Sequence, residues 1–98
     1  MIIAEVSIAP FGVGTSLSKY VHEAVKVIQS SGLTYKVGGM STTIESPDLD
    51  TLFRVIKSAE EAEINAGAQR VLINLKIDDR RDTDARIDKK VRAALGEK

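Results

Sequence analysis

The stretch Arg70-Val71-Leu72-Ile73-Asn74-Leu75-Lys76-Ile77-Asp78-Asp79-Arg80-Arg81-Asp82 constrains the fold more than any other part of the chain. Val71, Ile73, Leu75 and Ile77 alternate with Leu72, Asn74, Lys76 and Asp78. Successive side chains of a β-strand point to opposite faces, so this period of two makes one apolar and one polar surface. The charged residues Asp78 to Asp82 that follow cannot continue into a core. The stretch predicts a sheet with a greasy face and a polar face, with this strand lying inside it. The use of the polar face is the functional question.

The rest of the chain supplies the partners. Ile2 to Ala9 reads as a first strand, with Ile2, Ala4, Val6 and Ile8 on one face and Ile3, Glu5, Ser7 and Ala9 on the other. Pro10 to Gly14 is a loop, because proline and two glycines break both patterns. Thr15 or Ser16 is placed to cap a helix whose apolar stripe is Leu17, Tyr20, Val21, Ala24, Val27 and Ile28, and Gly32 stops it. Leu33 to Ser46 reads as a hairpin turning near Gly38-Gly39, with Tyr35 and Val37 sharing a face. On its return arm Thr42 and Ile44 face the core, and Thr43 and Glu45 face the open side.

Ser46-Pro47-Asp48 opens a second helix with proline in the first turn. Its stripe of Leu49, Leu52, Phe53, Ile56 and Ala59 runs on into Glu60 and Glu63, and Gly67 ends it. Asp82 or Thr83 caps a last helix bearing Ile87, Val91, Ala94 and Leu95. The order β-α-β-β-α-β-α, with right-handed crossovers around a hairpin, predicts an α+β, ferredoxin-like βαββαβ antiparallel sheet. Two helices cover one face, and an additional C-terminal helix lies outside this core. Residues 1–98 fit a single such domain.

Composition narrows the chemistry. The chain has no cysteine and one histidine, His22, which excludes a disulfide framework, a thiolate nucleophile and a cysteine-ligated zinc site and leaves little scope for a histidine metal cluster. Fourteen basic side chains balance fourteen acidic ones, so the basic surplus of a nucleic-acid binder is missing. The apolar runs fall short of the roughly 20 residues that cross a bilayer, and Ile2 to Ala9, interrupted by Glu5, is no signal peptide. The expectation is a cytoplasmic protein with no membrane and no nucleic-acid partner.

The open face of the sheet brings together Glu5 and Ser7, Thr43 and Glu45, and Asn74 and Lys76, with Ile3 and Leu72 beside them. Three readings fit: a solvated face, a self-association face, or a site whose carboxylates, hydroxyls and amide hold a small polar ligand. The last two combine, because stacking two such faces would dry the site. An RNA platform needs aromatics on the central strands, and this face holds none. Gly12-x-Gly14 before a helix lacks the remaining residues of a phosphate-binding motif and reads as a structural turn. The charged run from Asp78 to Asp82 reads as an interface element and His22 as a surface residue. No nucleophile stands beside a base. A Glu5–Glu45 acid/base pair is the best enzymatic case and a poor one.

Ala4-Glu5-Val6 followed by Pro10-x-Gly12, Ser18-x-Tyr20-Val21, Ser41-Thr42-x-x-Glu45, Ala66-Gly67-x-x-Arg70-Val71 and Lys76-Ile77-Asp78-Asp79-Arg80-Arg81-Asp82 occur in this order along nearly the whole chain. Together they resemble the YkoF-like thiamine-binding proteins. The resemblance implies a ferredoxin-like subunit that dimerises through its sheets, often forms tetramers, and binds thiamine or its hydroxymethylpyrimidine part. It implies no catalysis, catalytic residue, metal or cofactor. The residues expected to bind the ligand are Glu5, Ser7, Thr43, Glu45 and Asn74, with Glu45 leading by its central position and Glu5 next. Parity favours Thr43 over Thr42, and a bulge near Gly39 would exchange them. The family commonly has glycine at Ser41 and histidine at Glu60, and an apolar residue where Glu63 stands. Glu60 and Glu63 are expected either to mark altered specificity or assembly, or to reach solvent at the end of a narrowing stripe. The alternative from another class is an oligomeric structural or regulatory module without a ligand.

Overall fold

The structure is a computed structural model that describes residues 1–97. Its elements are β1 (Ile2–Pro10), α1 (Ser18–Ser30), β2 (Tyr35–Val37), β3 (Thr42–Ser46), α2 (Leu49–Asn65), β4 (Val71–Asp78) and α3 (Ile87–Ala94). The strands form one sheet in the order β2-β3-β1-β4, each neighbouring pair antiparallel. This is the expected ferredoxin-like topology, with α3 added to it.

β1 organises the sheet, because it pairs with β3 on one side and β4 on the other. Its inward residues Ile2, Ala4, Val6 and Ile8 join Ile44 of β3, Ala24 and Ile28 of α1, and Leu52, Ile56 and Ala59 of α2 in the main core. Ile44 and Leu52 are completely buried. Burying a side chain of that size contributes about 1.5–3 kcal/mol relative to exposure.

β4 is an edge strand rather than an interior one. Alternation reports that a strand has two different faces, and says nothing about neighbours on both sides. Its inward side chains Val71, Leu75 and Ile77 are only partly buried, and Ile73 is exposed.

Local signals near the helix ends also misplaced some boundaries. Helix α1 starts at Ser18 behind Leu17, whose side chain makes no cap; the Leu17 carbonyl accepts from the Tyr20 and Val21 N–H groups instead. Gly12 and Gly14 both take positive φ, which prolongs the loop past Thr15 and Ser16. Pro47 lies just outside α2, and Asp48 caps it, its Oδ1 accepting from the Thr51 N–H at 2.7 Å. Phe53 is about half exposed, off the inward row of Leu52, Ile56, Ala59 and Glu63.

Glu60 is half-buried, but Glu63 does not reach solvent. It completes that inward row, is fully buried, and neither carboxylate oxygen has a hydrogen-bond partner among the described residues. Desolvation disfavours the charged form and pushes its pKa up from 4.5 to about 7. The unfolded chain therefore loses this proton near pH 4.5 while the folded chain keeps it to about 7. Stability from this group is greatest below the lower value, falls between the two, and is level above the upper one. The shift corresponds to a loss of about 3 kcal/mol across that window.

Urea unfolding measured from pH 5 to pH 8 should show this decline. Glu63→Gln should flatten it, and Glu63→Met should raise stability at pH 8 by about 2–3 kcal/mol. An equally steep decline in Glu63→Gln would contradict the assignment.

Candidate functional site

The register of β1 assembles the open face. Glu5 lies between Thr43 of β3 and Lys76 of β4, Ser7 lies opposite Asn74, and Ile3 lies between Glu45 and Asp78. All five expected ligand residues, Glu5, Ser7, Thr43, Glu45 and Asn74, share this face. Thr42 is buried with the core and Thr43 is half-exposed, so no bulge exchanges them.

Burial then divides the five. Ile3 forms a second apolar cluster with Ala85 and Ile87, which seats the start of α3 on the open face. Glu45 lies beneath it with 4% of its surface exposed. Its Oε2 accepts from the Ile87 backbone N–H at 2.8 Å, and its Oε1 accepts from Arg86 Nη1 at 3.4 Å. Ile87 is the first residue of α3, and a carboxylate is favoured at a helix N-terminus because the orphan N–H groups carry partial positive charge. Glu45 thus fills the capping role expected of Asp82 or Thr83.

Ion pairs hold the same element. Asp84 accepts from the N-terminal ammonium of Met1 at 3.1 Å and from Arg86 Nε at 3.0 Å. These hydrogen bonds hold its carboxyl below the usual range. Lys90 reaches Asp78 at 2.7 Å, and that hydrogen bond lowers the Asp78 pKa likewise. The charged run largely pairs with itself, Arg80 with Asp82 and Arg81 with Asp79. Such exposed pairs contribute little stability.

Two concavities remain on the uncovered part of the face. One, of about 470 Å³, is lined by Glu5, Ser7, Met40, Ser41, Asn74, Leu75 and Lys76. The other, of about 480 Å³, is lined by Ile3, Ala4, Glu5, Thr43, Lys76, Ile77, Asp78 and Lys90. Both volumes suit a small ligand. Glu5 and Lys76 belong to both and form the ridge between them. Ser41 Oγ donates to Glu5 Oε2 at 3.0 Å, which fixes one carboxylate oxygen. The structure therefore joins Glu5, Ser7 and Asn74 in one cavity, places Thr43 in the next, and keeps Glu45 apart. Ser41 stands just before β3 with the parity of Thr43 and Glu45, but it lay outside the expected ligand set. Lys76 was visible on the face but stood outside the expected ligand set.

A family model described as thiamine-binding protein matches residues 4–95. The chain belongs to the thiamine-binding protein family. Within it, a UPF0045 protein of Methanothermobacter thermautotrophicus is 46% identical over 92 residues, covering 93% of each chain. The UPF0045 protein YqgV of Bacillus subtilis is 40% identical over 96 residues, covering 93% of this chain and 91% of its own. The crystal structure of a hypothetical protein from Methanocaldococcus jannaschii superposes with a TM-score of 0.87 at 40% identity, over 98% of this chain and 96% of that one. The fold extends to a candidate thiamine biosynthesis/salvage protein of Thermotoga maritima, with a TM-score of 0.80 at 22% identity over 95% of this chain and 97% of that one. Among the described residues no helix is long and apolar enough to cross a membrane.

Removing the anionic cap should free α3 without unfolding the sheet. Glu45→Ala should cost about 1–2 kcal/mol in the docking of α3, read as amide hydrogen exchange roughly 5- to 30-fold faster over Ile87–Ala94 with β1 and β3 unchanged. Unchanged exchange in α3 would show that Ile3, Ala85 and Ile87 seat it alone.

Proposed function

We propose that this chain binds thiamine, or its hydroxymethylpyrimidine half, without catalysing a reaction, in the cavity lined by Glu5, Ser7, Ser41, Asn74 and Lys76. The observation that carries this reading is the exposed Glu5 carboxylate, steadied by Ser41 and flanked by Ser7 and Asn74, in a chain matched along residues 4–95 by the thiamine-binding family. An aminopyrimidine presents an exocyclic amine that donates and ring nitrogens that accept. Glu5 is suited to accept from the amine; the Ser7 hydroxyl and the Asn74 amide are suited to donate to the ring. Thr43, across the ridge, offers a further hydroxyl. A carboxylate beside the fixed positive charge of a thiazolium offsets it.

Glu45 takes a supporting part in this proposal, since both its oxygens hold the start of α3. Self-association belongs to the same reading. A second copy stacked about 10 Å over the part of the face that α3 leaves free would exclude water from the cavity and strengthen its hydrogen bonds.

Calorimetric titration with thiamine and with its free pyrimidine fragment tests the proposal. Saturable binding at one site per subunit, or one per pair of subunits, is expected. Glu5→Gln should weaken it by about 10- to 100-fold, the loss of one charge-assisted hydrogen bond, while thermal unfolding stays cooperative. No heat with either compound on folded protein would replace this reading with that of a structural or regulatory module.

A further inference from the structure

The sheet stops short at the hairpin. Strand β1 pairs with β4 as far as Pro10, but its pairing with β3 ends at Val6, opposite Thr42. Strand β2 ends at Val37. Gly38 to Ser41 then form the hairpin tip, where the Gly38 N–H donates to the Ser41 carbonyl at 2.8 Å. Past Val6, β1 therefore runs on without β3 beside it. Helix α1 lies over this gap without filling it. What remains is a cavity of about 230 Å³ between α1, β1 and the hairpin tip. Val6, Ile8 and Ile28 are its buried walls, and Val21, Val37 and Met40 its exposed ones.

We propose that this cavity is a second binding site, separate from the Glu5 cavity, for a small uncharged ring compound. Its size fits one ring. An apolar cavity of about 150 Å³ stays dry and takes up benzene, so about 230 Å³ holds a six-membered ring with a short substituent. Its chemistry selects an uncharged one. Among the described residues none that lines the cavity is charged, whereas Glu5 and Lys76 line the cavity on the open face. A charged group moved here from water would lose its hydration and find no counter-charge. Exposure points the same way. Large apolar side chains exposed singly are ordinary, but grouped about a cleft they mark a ligand site. Val21, Val37 and Met40 are so grouped, Met40 with 91% of its surface exposed.

The hairpin tip separates the two cavities. Ser7, Met40 and Ser41 line both, with inward Val6 and Ile8 on one side and outward Glu5 and Asn74 on the other. Glycine keeps the tip narrow. A Cβ at Gly38 would stand 3.1 Å from the Ser41 carbonyl oxygen, and Ser41 is the residue whose hydroxyl holds Glu5. The second site depends on volume and on the absence of charge in its lining, so it stands whether or not thiamine occupies the first.

Benzyl alcohol, benzoate and benzylammonium share one ring and differ in charge, so together they test the site. Each is added to the native chain and followed by backbone amide chemical shifts. Benzyl alcohol should bind saturably, with shifts concentrated at Val6, Ile8, Val21 and Val37 and with Asn74 and Lys76 of the open face unmoved. Benzoate and benzylammonium should bind about 10-fold more weakly or worse. Val21→Asp and Val37→Asp alter exposed positions, so unfolding should stay cooperative. Each should weaken benzyl alcohol by about 10-fold and make benzylammonium the preferred compound of the three. No saturable shift with benzyl alcohol, equal affinity for all three compounds, or shifts centred on Asn74 and Lys76 would overturn the proposal. So would benzyl alcohol binding that is unchanged in both variants. Thiamine takes no part in these titrations, so its failure to bind the Glu5 cavity would leave their outcome untouched.

Discussion

The carboxylate of Glu45 lies under the first turn of α3 and takes the Ile87 N–H at 2.8 Å. The layout of the open face follows from this bond. Ile3, Ala85 and Ile87 supply the apolar contact, but such contact is non-directional. The charged acceptor gives it an orientation, by satisfying an orphan donor at a helix N-terminus. With α3 so placed, Lys90 reaches Asp78, the Ile3 end of the face is closed, and the ridge of Glu5 and Lys76 stays open. Beyond its first turn α3 is exposed, Val91 to 51% and Leu95, just past its end, to 70%.

The fold was legible because the sheet speaks in a period of two. Strand β1 reads correctly on both faces, and the hairpin parity of Thr42, Thr43, Ile44 and Glu45 holds residue by residue. The edge position of β4 was not legible, since alternation is the same for an edge strand and an interior one. The cap of α3 was hidden for a different reason. Local rules search the residues just before a helix, whereas this cap comes from 42 positions away.

The candidate site was legible as a face and not as a site. Parity identifies which side chains look the same way, and it placed Glu5, Ser7, Thr43, Glu45 and Asn74 correctly in that sense. It cannot see that a helix outside the βαββαβ core returns to cover one of them. Centrality made Glu45 the leading ligand candidate, yet the central position is where α3 begins. Ser41 has the parity of Thr43 and Glu45 but stood outside the expected set, because alternation names a face and not the hydroxyl that fixes an oxygen of Glu5. Glu63 shows the reverse error, a charge whose place on the stripe was read correctly while its burial was left open. The inward row carries it wholly inside, where it keeps its proton to about pH 7.

In the proposed function, thiamine is read by the Glu5 cavity and not by Glu45. Backbone amide chemical shifts, followed by NMR as thiamine is added, test it most directly. Shifts should concentrate at Glu5, Ser7, Ser41, Asn74 and Lys76, with Ile87 and the middle of α2 unmoved. Shifts centred on Glu45 and Ile87, or confined to the helix side of the sheet, would contradict it.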